Sequence, residues 1–136
     1  MTEPPAATLP EAPPAEPWSI LGMRFVLELV GWTSFGIWGW SIGDGSLPGG
    51  FLAVSFVAVS VAAWGVFRVP NDPPGKLDPP IRVSGWARLA VELAFFALAA
   101  PGLWLSGYRA ASETLLTAVS LLYVVTWDRQ RWLVQQ

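Results

Sequence analysis

The chain has 136 residues, 53% of them hydrophobic, with a mean hydropathy of +0.46 and only 13% charged, against roughly 25% in ordinary soluble proteins, which leaves too few charged side chains to cover a small soluble domain. A net charge of −2 excludes a nucleic-acid binder of the usual basic kind. With neither Cys nor His, disulfides, Cys/His zinc sites, His- or Cys-ligated haem, cysteine nucleophiles and histidine acid–base chemistry are excluded, and no metal, cofactor or catalytic residue is expected.

Residues 1–17 hold six prolines, four alanines and Glu3, Glu11 and Glu16, a composition that cannot bury a core and predicts a disordered tail. The tail offers neither the basic start nor the apolar stretch of a signal peptide. From residue 18 to 133 the pattern predicts one transmembrane domain with helices over about 19–42, 51–68, 84–106 and 110–130. Ser19 is the expected cap of the first helix, in which Gly36, Gly39 and Gly43 mark a small-residue stripe for close helix packing. Asp44 to Gly50 reads as a tight turn. From Gly45 to Phe67 there is no charge over 23 residues, a strong spanning signal. Five prolines between Val69 and Gly85 predict an aqueous loop. Ser84 caps the third helix, Pro101-Gly102 loosens its far end, and Asp128, Arg129 and Arg131 stop the fourth.

Seven of the eight Lys and Arg residues fall on the side of the termini and the long loop, and only Arg109 on the other. The positive-inside rule then predicts cytoplasmic termini. The tryptophans fit the same boundaries, with Trp18, Trp64, Trp86 and Trp127 at the inner interface and Trp104 at the outer one.

One pattern occurs twice. Arg24-x-x-x-Glu28-Leu29 and Arg88-x-x-x-Glu92-Leu93 are 64 residues apart, and the same offset relates Trp40 to Trp104 and Gly43 to Gly107. The predicted fold is therefore all-α: an integral membrane four-helix bundle built from two tandem αα-hairpins as a parallel pseudo-repeat.

In order along the chain, Arg24-Phe25 with Glu28-Leu29, Trp64-Gly65-Val66-Phe67 with Pro70, Arg88-Leu89 with Glu92-Leu93, and Leu103-Trp104 with Gly107 resemble the YrdB-like family of bacterial membrane proteins, classed as a domain of unknown function. The resemblance covers about residues 20–133 and implies four helices in the bacterial inner membrane, with no established activity. The chain departs from the family pattern after the second helix, where Arg68 precedes Pro70 and Asn71-Asp72 follow.

Chemistry then rests on Arg24, Glu28, Arg88 and Glu92. A lone charge in hydrocarbon costs at least ~2.5–3.5 kcal/mol, so each glutamate needs a cation, either at i−4 in its own helix or crossed between repeats. The first expectation is a non-enzymatic structural or partner-binding bundle held by this Arg/Glu clamp, with the lipid bilayer and a second copy or another membrane protein as partners. One alternative is a proton- or cation-coupled transporter using Glu28 and Glu92. The other is a lipid-handling enzyme drawing on Asp44, Asp72, Asp78 and Tyr108, which share no recognisable catalytic spacing.

Overall fold

The computed structural model describes residues 13–70 and 80–136, and the expectations for the tail over 1–12 and the loop over 71–79 lie outside the described residues. The elements are α1 (Trp18–Ile42), α2 (Leu47–Val66), β1 (Phe67–Arg68), β2 (Ile81–Arg82), α3 (Gly85–Leu105), α4 (Arg109–Val125) and α5 (Trp127–Val134). Helices α1, α2 and α3 are long and apolar enough to cross a membrane, and α4 with α5 meets the same standard only as one pair, bent by 73°.

Local chemistry moves several predicted boundaries. The cap position of α1 is Pro17 rather than Ser19: its carbonyl accepts from Ile20 and Leu21 N–H at 3.0 and 3.1 Å, without a side-chain cap. Asp44 and Gly45 both take left-handed backbone conformations, φ 51° and 68°. That tight reversal lets α2 begin at Leu47, four residues before the predicted Phe51, with Pro48 in the first turn, where its missing N–H costs no helical bond. Ser84 caps α3 by accepting from the Ala87 N–H at 3.3 Å. α3 runs on through Pro101, and beside it Ser112 of α4 donates to the Ala100 carbonyl at 2.7 Å.

The predicted fourth helix is two helices. At Thr126 the side-chain hydroxyl donates back to the Leu122 carbonyl at 2.7 Å, and the chain turns by 73°. α5 then folds across the end of the bundle, placing Trp132 and Leu133 on Val69. Gly85, at the start of α3, lies so close under the Leu133 carbonyl that a Cβ there would overlap it. In the connection from α2 to α3, read as loop from its prolines, β1 and β2 form a short parallel pair, Phe67 with Ile81 and Arg68 with Arg82.

The core lies among α1, α3 and α4: Leu27 and Phe35 meet Phe95, Phe96 and Leu103 of α3 and Leu115 and Leu122 of α4. α2 is peripheral, with Gly49 its one buried residue. It packs antiparallel on α1, where a Cβ on Gly39 would reach the Ala53 backbone nitrogen at 2.5 Å and one on Gly43 would overlap Gly49. α1 and α3 run parallel, with the Phe95 ring over Gly31 and the Trp38 ring over Gly102. Both contacts join residues 64 apart, the spacing of the two Arg-x-x-x-Glu-Leu patterns. In each, a large ring fills the space left by a glycine at its counterpart position, so like-numbered turns of α1 and α3 stand face to face.

Candidate functional site

That register puts both glutamates at one end of the bundle, but their surroundings differ. Glu92 is 1% exposed. Arg88, one turn earlier on α3, donates from Nε to Glu92 Oε1 at 3.1 Å. Arg129, delivered by the turn into α5, forks onto both oxygens: Nη2 to Oε1 at 3.0 Å and Nη1 to Oε2 at 3.2 Å. Tyr123 of α4 donates its hydroxyl to Oε2 at 3.1 Å. A carboxylate taking four donors, two of them in a bidentate guanidinium fork, has the arrangement that offsets the desolvation of a buried ion pair.

Arg88 extends the network to α2. Its Nη1 donates to the Trp64 carbonyl at 2.7 Å and the Phe67 carbonyl at 2.8 Å, oxygens at a helix end that have no intrahelical partner. Its guanidinium also stands 4.6 Å from the centroid of the Trp64 ring, a cation–π contact. One carboxylate thus joins α3, α4 and α5 directly, and through Arg88 the end of α2. Removing only the tyrosine hydroxyl tests the weakest of these links. Tyr123→Phe is expected to cost about 1 kcal/mol in a denaturation titration in detergent, and a loss several times larger would mean that the ring's position, not its hydrogen bond, matters.

The first copy of the pattern is used otherwise. Arg24 pairs with Glu16 ahead of the helix, Nη2 to Oε1 at 2.9 Å, and among the described residues its buried Nε has no partner. Glu28 is half-buried, and among the described residues no hydrogen bond or salt bridge engages its carboxylate. The crossed pairs Arg24–Glu92 and Arg88–Glu28 are not among the salt bridges of the described residues.

Of the glycine stripe, Gly39 and Gly43 lie against α2, while a Cβ on Gly36 would meet Val57 at an ordinary 3.5 Å. Trp18, Trp86, Trp104 and Trp127 stand at the surface. Trp64 is different: it packs inward, 4.9 Å from the Phe95 ring.

Two cavities meet at Trp64. One, of about 490 Å³, opens at the glutamate end, with Arg24, Arg68, Arg88 and Arg129 facing Glu28 and Glu92, and Trp18 at its mouth. The other, of about 530 Å³, is an apolar groove between α2 and α3, floored by Phe35 and Phe95. No group of three or more His, Cys, Asp or Glu able to hold a metal ion occurs among the described residues.

Sequence reasoning did not find Arg129 or Tyr123 as partners of Glu92. Arg129 reads there as a residue that stops the last helix. The available signal was the length of the final apolar run: Ala110 to Thr126 is 17 residues without Lys or Arg, short for a span of ~20, which leaves Arg129 near the depth of Glu92.

The family model described as "Protein of unknown function (DUF2568)" matches residues 22–125. The chain is 33% identical to the uncharacterized protein YrdB of Bacillus subtilis (strain 168) over 114 residues, covering 84% of this chain and 92% of that protein. No solved structure matches.

Proposed function

Since the chain belongs to the DUF2568 family, whose function is unknown, we propose from its own geometry that it is an integral membrane four-helix bundle that acts by binding rather than catalysis, its cytoplasmic end locked by Glu92. The observation that carries this is the saturation of Glu92 by Arg88, Arg129 and Tyr123. A carboxylate so engaged holds helices together and is not poised to exchange protons or attack a substrate.

In this reading α1 to α4 cross the bilayer as two hairpins in the same orientation, with α1 and α3 back to back. α5 lies at the inner surface, where exposed Trp127 and Arg131 face the headgroups. The exposed Leu, Val and Phe residues along α2 and α4 face lipid. The excess of Lys and Arg at the glutamate end supports a cytoplasmic position for that end.

The native chain has no cysteine, so single cysteines report topology cleanly. Ser46→Cys and Ser106→Cys are expected to react with a membrane-impermeant maleimide on intact cells, and Gln135→Cys only after permeabilisation. Labelling of all three on intact cells, or release of the protein by carbonate, would sink the reading.

One observation favours a second reading. Glu28 presents to a cavity a carboxylate that has no hydrogen bond or salt bridge among the described residues, as a proton- or cation-coupled carrier requires. It is the weaker reading, because four arginines share that cavity and an adjacent guanidinium opposes cation binding.

A further inference from the structure

The two cavities that meet at Trp64 differ in chemistry in a way that matches one kind of ligand. Among the described residues the wall of the polar cavity carries four arginines against two glutamates, and counting Glu16, which pairs with Arg24, positive groups still outnumber negative ones. Arg24 commits Nη2 to Glu16 while its Nε has no partner among the described residues, which leaves part of a guanidinium fork suited to a phosphate. The groove is apolar apart from Ser55 and Ser60, and Ser60 already donates to the Val57 carbonyl at 2.8 Å.

The dimensions fit as well. The groove is bounded by residues 55–64 of α2 and 91–98 of α3, a helical rise of about 14 Å and about 10 Å respectively, or up to half of a ~30 Å hydrocarbon core. On α2 and α3 it therefore covers about one leaflet's depth, from Trp64 to Ser55 and Leu98. A transmembrane helix of a partner would follow α2 through the whole thickness, whereas an acyl chain of the inner leaflet occupies this half alone. The volume lies within the ~300–1,000 Å³ of small-molecule sites.

We propose that the arginine-walled cavity and the α2–α3 groove together bind one anionic phospholipid of the cytoplasmic leaflet, its phosphate beside Arg24 and Arg68 and one acyl chain in the groove. Trp64 separates the two compartments, its ring against Phe95 on one side and Arg88 on the other. Glu28 is the negative counterweight in the wall, so the site discriminates by net charge. The proposal rests on the membrane-bundle reading above.

The test uses full-length protein from carbonate-washed membranes in mild detergent, titrated with phosphatidylglycerol, phosphatidylcholine or inorganic phosphate and followed by thermal unfolding and native mass spectrometry. Saturable stabilisation by phosphatidylglycerol is expected, with phosphatidylcholine and phosphate each about tenfold weaker or more. Arg24→Gln and Ala63→Trp, which fills the groove, should each weaken phosphatidylglycerol about tenfold. Val59→Trp serves in place of Ala63→Trp should that variant not fold. Val124→Trp, on an exposed face of α4, should leave binding unchanged, and Glu28→Gln should tighten it. Equal response to both lipids, equal response to phosphate alone, or a dimer abolished by Ala63→Trp would overturn the lipid site. Loss of the protein in the carbonate wash would instead overturn the membrane reading on which it rests.

Discussion

Glu92→Gln is expected to destabilise the protein by about 3–5 kcal/mol, because it takes the Glu92 counter-charge from the buried Arg88 and Arg129. Both side chains are nearly inaccessible, at 6% and 9% exposure, so water cannot replace the lost carboxylate cheaply. Loss of the carboxylate would also loosen the attachment of Arg88 to the Trp64 and Phe67 carbonyls and the turn that folds α5 over the bundle end. Glu28→Gln is expected to change stability by less than about 1 kcal/mol, since no partner among the described residues is orphaned by it. The double variant should match the sum of the two single variants within about 0.5 kcal/mol, as for sites that share no partner. Thermal and chemical denaturation in detergent or nanodiscs measures all three. A neutral Glu92→Gln would mean that the carboxylate is retained for chemistry, and the carrier reading would replace the clamp.

The second large effect is expected at Gly39. α2 buries little of itself and is held mainly by the crossing with α1. A Cβ at Gly39 would stand 2.5–2.6 Å from the Ala53 nitrogen and Cα and the Leu52 carbonyl carbon. These are backbone atoms that cannot rotate away, so even Gly39→Ala forces the helices apart. Gly39→Val should cost about 3 kcal/mol or more. Gly36→Ala, on the same stripe with only Val57 at 3.5 Å, should be neutral or stabilise by up to about 1 kcal/mol, the difference in helix propensity. Equal losses at the two positions would show that the stripe responds to added volume generally and not to this one crossing.

The contrast between those glycines marks how far sequence reading reached. The stripe was visible, and so was a spacing suited to a close neighbour, but the pattern alone did not rank Gly39 above Gly36. Ranking depends on where α2 crosses, and that follows from the left-handed pair Asp44 and Gly45, which starts α2 four residues early.

The glutamates show the same division. The 64-residue offset reappears as the register of α1 on α3, because two segments carrying the same small and large positions interlock best when those positions face each other. Equal treatment of Glu28 and Glu92 does not follow from that register. Of the two glutamates it is Glu92 that Arg129 bonds, because Arg129 lies beyond the end of α4, and α4 packs on α3.

By itself the sequence determined the all-helical character, the segments apolar enough to cross a membrane, and the spacing that matches the register of α1 on α3. These are properties of single segments, set by side-chain transfer free energy and helical period. Only the tertiary structure decided which carboxylate is saturated, where the last helix breaks, and that Trp64 stands between a cationic cavity and an apolar groove. Those outcomes depend on the relative placement of residues 37 to 60 positions apart, such as Glu92 with Arg129 and Trp38 with Leu98, and no local period encodes it.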